Sequence, residues 1–157
     1  MIFQPNDWPH PHVTPRSEQE RDRLLTVVPD RLVFVFGSNL AGRHMGGAAR
    51  DAVDYFEAEM GKGYGWHGRS YAIPTMDVGL RTLPLHFIAG HVDRFLVAAM
   101  AEPDFTFYVT AVGTGIAGLT HEQMAPFFVG APSNVLLPVE WLPLLSAQAT
   151  TTEGARP

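Results

Sequence analysis

The chain has 157 residues with a formal net charge of −5, 46% hydrophobic and 17% charged residues, enough for one domain with its own core and inconsistent with general disorder. The acidic balance, with a pI near 5.7, gives no electrostatic reason to expect nucleic acid or an anionic membrane as partner. Cysteine is absent and Lys62 is the only lysine, which removes disulfides, thiolate chemistry, cysteine–zinc sites and a Walker-type phosphate lysine.

Residues 1–16, with Trp8 and Pro5, Pro9, Pro11 and Pro15, read as an irregular arm on the surface. His10 and His12 have the spacing of a metal pair, but nothing nearby supplies further ligands, so no metal is expected. Ser17-Glu18-Gln19-Glu20 is a capping box opening a short helix to Val28, stopped by Pro29. Leu32 to Phe36 is an apolar strand, followed by a glycine-rich turn and a helix over 46–60 that buries Ala49, Val53 and Phe56 and ends at Gly61. The stretch 61–68 reads as a flexible surface turn, placed as a helix-to-strand connection at the opposite edge of the sheet.

Tyr71 to Ile73 forms a strand stopped by Pro74, and a helix over 83–100 presents Leu83, Phe87, Ile88, Val92, Phe95, Leu96 and Ala99 on one side. A strand over 105–112 follows, then a second glycine turn. Thr120-His121-Glu122-Gln123 is another capping box for a helix to about Val129, and 134–137 is the last strand. This order divides the chain into an arm and short helix (1–30), an α/β domain (31–142) and a flexible tail (143–157). Strands alternating with helices predict a three-layer α/β/α sandwich with a mostly parallel central sheet. The loops at 37–47, 74–82 and 113–119 then meet at the C-terminal edge of the strands, where ligands of such sheets bind. No signal peptide or membrane-spanning stretch is evident, so a soluble, cytoplasmic protein is expected.

Each glycine turn, 37–47 and 113–118, follows directly on an apolar strand, so bare backbone N–H groups approach an anion at the positive end of a helix dipole. Gly113-x-Gly115-x-x-Gly118 also matches the dinucleotide fingerprint, but too little chain follows Gly118 to complete a Rossmann unit.

Taken together, Phe36-Gly37-Ser38-Asn39 with Gly46-Gly47, and Gly113-Thr114-Gly115-Ile116-Ala117-Gly118, resemble the two loops of the macro domain family over roughly residues 31–141. Ala117 stands where the family usually has an aromatic residue. The resemblance implies binding of ADP-ribose, or of a protein-linked derivative, by Gly37, Ser38, Asn39, Gly46, Gly47 and residues 113–118, with Asn39 at the distal ribose. Where the family's hydrolases carry an acidic residue after the glycine cluster, this chain has Ala48 or Ala49, with Asp51 about two residues late. Asp30 is the nearest candidate for the acidic residue that reads the adenine amine.

Two readings stand side by side. In one, Asn39, His44 and Asp77 hydrolyse an ADP-ribose derivative, His44 as proton donor and Asp77 positioning water. In the other the chain binds a nucleotide metabolite without turnover. Arg43 is a further phosphate partner, and Trp141, Phe127 or Phe128 a stacking surface for adenine. His86, His91 and His121 read as helix residues. No cofactor is expected.

Overall fold

The computed structural model describes residue 10 and residues 12–146. Its core is a five-stranded sheet in the order β2-β3-β1-β4-β5, built from β1 (Leu32–Asn39), β2 (Gly65–His67), β3 (Ser70–Met76), β4 (Thr106–Val109) and β5 (Val135–Leu136). β1 is central and parallel to both β3 and β4, β4 is parallel to β5, and only β2 runs antiparallel, at the edge. The predicted α/β class and mostly parallel sheet are therefore observed.

Side chains of each strand alternate between two apolar clusters, as the pleat requires. Val33, Val35, Tyr71, Ile73, Phe107, Val109 and Val135 belong to one cluster, and Phe34, Phe36, Ala72, Tyr108 and Leu136 to the other. The first is completed by Ile88, Val92, Phe95 and Ala99 of α3 (Leu85–Ala101) and Met124 of α4 (His121–Met124). The second takes in Leu24 of α1 (Glu18–Leu25) and Ala52 of α2 (Gly47–Tyr55). Chain leaving β1 therefore passes to one face and chain leaving β3 or β4 to the other, which makes the C-terminal ends of β1 and β4 a topological switch point, the place where ligands of such sheets bind.

Local chemistry sets the boundaries. Ser17 caps α1, its hydroxyl accepting from the Glu20 N–H at 3.1 Å, and Thr120 and Gln123 form the complete capping box of α4. Asn134 donates through Nδ2 to the carbonyls of Ala99, Glu102 and Phe105, closing the end of α3 and the entry to β4.

Several expectations need correction. α2 stops at Tyr55 and not at Met60, because Glu57 adopts a left-handed conformation (φ 65°) and Ala58 N–H turns back to the Ala52 carbonyl. On α3, Phe87 is 56% exposed and lies off the core face. The 61–68 stretch is neither a simple surface turn nor at the opposite edge. Since β2 is antiparallel to β3, residues 61–64 that precede it lie at the C-terminal edge of the parallel strands, beside the turn after β1.

The arm is built into the fold over its described part. Val13 is buried, Tyr108 donates its hydroxyl to the Thr14 carbonyl, and Arg16 pairs with Glu20 while donating to the carbonyls of Val109 and Leu136. Val13 and Leu24 lie in the same apolar cluster as Phe34. Residues 142–146 are helical, and Leu144 and Leu145 pack on the core where a tail was expected. Trp8, Pro5, Pro9, Pro11 and the rest of the tail, 147–157, lie outside the described residues.

Candidate functional site

The two glycine turns meet. A Cβ placed on Gly37 would sit 3.3 Å from the backbone nitrogen of Gly113, so the end of β1 and the start of the second turn approach at backbone distance. Within the second turn the polar groups are sorted. The carbonyls of Gly113 and Gly115 accept from the N–H groups of Leu119 and Gly118 at 2.9 and 3.0 Å, and the Ala117 carbonyl accepts from the Thr82 hydroxyl at 2.7 Å. The Thr114 hydroxyl donates to the Ala111 carbonyl. The N–H groups of Gly115, Ile116 and Ala117, by contrast, find no acceptor among the described residues. The Ile116 side chain is 87% exposed, Ala117 is buried, and open space surrounds the position of a Cβ on Gly115.

The first turn is committed inward. Asn39 accepts from the Arg43 N–H at Oδ1 and donates through Nδ2 to the Arg43 carbonyl, both at 3.0 Å, so its amide staples the turn to itself. The Ser38 hydroxyl donates to the Gly63 carbonyl, and Gly61 N–H donates to the Gly42 carbonyl. His44 is fully buried, edge-on to the Phe36 ring, with Nε2–H donating to the Lys62 carbonyl at 3.0 Å and Nδ1 unpartnered. The expectation of His44 as an accessible rim acid is thereby overturned: residues 61–63 seal it from solvent. Sequence reading missed this because the covering segment arrives only through the antiparallel edge strand.

Beyond Asn39, Gly46 is the N-cap of α2 and offers no side-chain cap, so the first N–H groups of the helix have no capping side chain. Arg43 is exposed and forms no ion pair among the described residues.

Asp77 follows β3 on the same edge. Its Oδ1 accepts from Gly79 and Arg81 N–H at 2.8 and 2.9 Å, fixing a tight turn in which Leu80 has φ 62°. The carboxylate is thus first a turn organiser, and the turn ends at Thr82, the residue bonded to Ala117.

Other candidates are not brought to this edge. Trp141 is fully buried against Phe128, its Nε1–H donating to His121 Nδ1 at 2.9 Å, so it cannot stack on a ligand. Phe128 is buried in the same cluster and Phe127 packs beside it. Asp30 lies in the 3-10 turn before β1, at the opposite end of the strands. Asp51 is exposed on α2, past its first turn. His86 is exposed on α3, and partial burial lowers the pKa of His91, with Arg94 adding to the effect.

Chemically, this edge offers hydrogen-bond donors and the positive end of one helix, while the Gly113, Gly115 and Ala117 carbonyls are already hydrogen-bonded: an arrangement suited to an anion. Two concavities lie elsewhere: one of about 210 Å³ lined by Ser17, Glu20 and Arg23 together with Val135 to Leu137, and one of about 290 Å³ lined by residues 128–131, Leu137 and Leu145. Among the described residues no group of three or more histidines and carboxylates is placed to hold a metal, and no helix is long and apolar enough to cross a membrane. Comparison with protein-family models, with curated proteins and with solved structures finds no match.

Proposed function

We propose that this protein binds a nucleotide diphosphate of the ADP-ribose class at the switch point between β1 and β4, in a three-layer α/β/α fold of the macro domain kind. One observation carries the reading: two glycine turns, from adjacent parallel strands, meet at backbone distance and leave three consecutive N–H donors and an uncapped helix start unspent. A diphosphate supplies two linked anionic groups for these donors, and charge-assisted bonds of this kind are roughly twice as strong as neutral ones. Gly37, Gly46, Gly47 and residues 113–118 contribute backbone, while Ser38 and Asn39 support the first turn.

Binding without turnover is favoured over hydrolysis. His44, the candidate proton donor, is sealed, and one Asp77 carboxylate oxygen is already held by two turn N–H groups. Calorimetric titration with ADP-ribose, ADP, NAD and GDP tests the reading, with incubation of ADP-ribose 1″-phosphate and ADP-ribosylated protein as the chemical control. Saturable binding of ADP-ribose with no release of free ADP-ribose from either substrate is expected. Turnover of either substrate would return the chain to the hydrolase reading, and absence of binding by all four nucleotides would dismiss the site.

A further inference from the structure

We infer that Thr82 is a positioning residue for the anion site, holding the second glycine turn in the orientation that presents its N–H groups; the inference rests on the diphosphate reading above. The peptide joining Ala117 to Gly118 is planar, so its carbonyl and N–H point in opposite directions. Its N–H donates to the Gly115 carbonyl at 3.0 Å, and its carbonyl accepts from Thr82 Oγ1 at 2.7 Å. Gly118 has φ 75°, and a glycine on one side of a peptide allows that plane to rotate at little steric cost.

Nothing within the turn holds the Ala117 carbonyl. The bond from Thr82 is the one side-chain hydrogen bond reaching residues 113–118 from outside the turn among the described residues. Without it the plane is held by the Gly118–Gly115 bond alone, and a rotation about the glycine that breaks this bond brings a carbonyl dipole toward the position of a bound phosphate.

Thr82 is itself well placed to act as an anchor. It closes the turn that Asp77 organises, forms a bridge with Met76 at the end of β3, and precedes Leu83, whose N–H donates to the Thr75 carbonyl at 2.8 Å. The turn after β3 therefore forms a third support of the site, tied to the sheet at one end and to the glycine turn at the other. Because Thr82 lies on the surface, removing its hydroxyl takes away one hydrogen bond and leaves the core untouched.

The test compares wild type with Thr82→Val and Thr82→Ser, titrated with ADP and with inorganic pyrophosphate and followed through the amide resonances of Gly115, Ile116 and Ala117. Thr82→Val should bind both ligands about tenfold more weakly, with a melting temperature only about 2–4 °C lower, and Thr82→Ser should restore wild-type affinity. The two anions should lose affinity to a similar degree, since the defect lies at the phosphate donors and not at the base. If wild type binds and Thr82→Val binds equally well, or if Ser fails to rescue, the positioning role is wrong while the diphosphate reading stands. Failure of wild type to bind either ligand overturns both.

Discussion

In the turn after β1, the Asn39 amide, the Ser38 hydroxyl and the His44 Nε2–H are all committed to backbone groups of the protein, whereas in the turn after β4 three consecutive amides find no acceptor among the described residues. The two segments have similar glycine-rich sequences and leave adjacent strands at the same edge. They differ in what covers them. Residues 61–63 press on the first turn, and the second projects Ile116 into solvent. A glycine turn can thus serve as framework or as binding surface. The distinction depends on the fate of its hydrogen-bonding groups, not on its composition.

Breaking the framework turn should cost stability first. A Cβ at Gly63 would lie within the van der Waals shell of the Asn39 carbonyl oxygen, with the Leu40 carbonyl close behind. Both are backbone and cannot step aside, so Gly63→Ala should destabilise the fold by about 3 kcal/mol, measured by urea unfolding. Asn39→Ala removes both bonds to Arg43 in a largely buried place and should cost about 2 kcal/mol. In titrations the same variant should weaken ADP and ADP-ribose alike. A loss confined to ADP-ribose would show that Asn39 reads the distal ribose directly.

A smaller effect is expected away from both turns, where the arm closes over α2. His10 stacks on Phe56 at 4.2 Å and accepts the His12 N–H at Nδ1. Burial lowers its pKa, and the neighbouring Arg69 adds to the effect. The folded state thus holds His10 neutral more strongly than the unfolded chain does. Its contribution to stability is complete above about pH 6.5, the ordinary histidine value, and is lost as pH falls toward the lowered folded pKa. His91 shifts in the same direction, so the comparison is with His10→Phe: melting temperatures between pH 7.5 and 5 should fall less steeply in the variant than in wild type.

Much of the sheet was legible because its strands are short apolar runs, as in Leu32 to Phe36, and the helix starts because the cap at Ser17 and the capping box at Thr120 are local signals, although Glu20 turns its carboxylate to Arg16 and does not close the box expected at Ser17. β2 was not: Gly65-Trp66-His67 is too short to show alternation, and its pairing with β3 is settled by tertiary contact. That one missed strand misplaced residues 61–64 and left His44 looking exposed. Trp141 was misjudged for a similar reason. A tryptophan just past the last strand reads equally well as a ligand platform or as a core residue, and only its partner His121, twenty positions away, decides between them. The glycine turns were legible as loops at one edge, but their division of labour was not, since it rests on hydrogen bonds to residues distant in sequence.

The second turn supplies the anion donors, and Gly115 is where fold and binding separate most cleanly. A side chain there meets open space, and Gly115 is not in the left-handed region, so Gly115→Glu should leave stability within about 0.5 kcal/mol of wild type. Calorimetric titration of ADP-ribose into wild type and into this variant is the most direct measurement. Saturable binding by wild type and none by the folded variant is the expected result, because the added carboxylate occupies and repels the anion position. Equal affinity in the two proteins would contradict the assignment of the site to this turn.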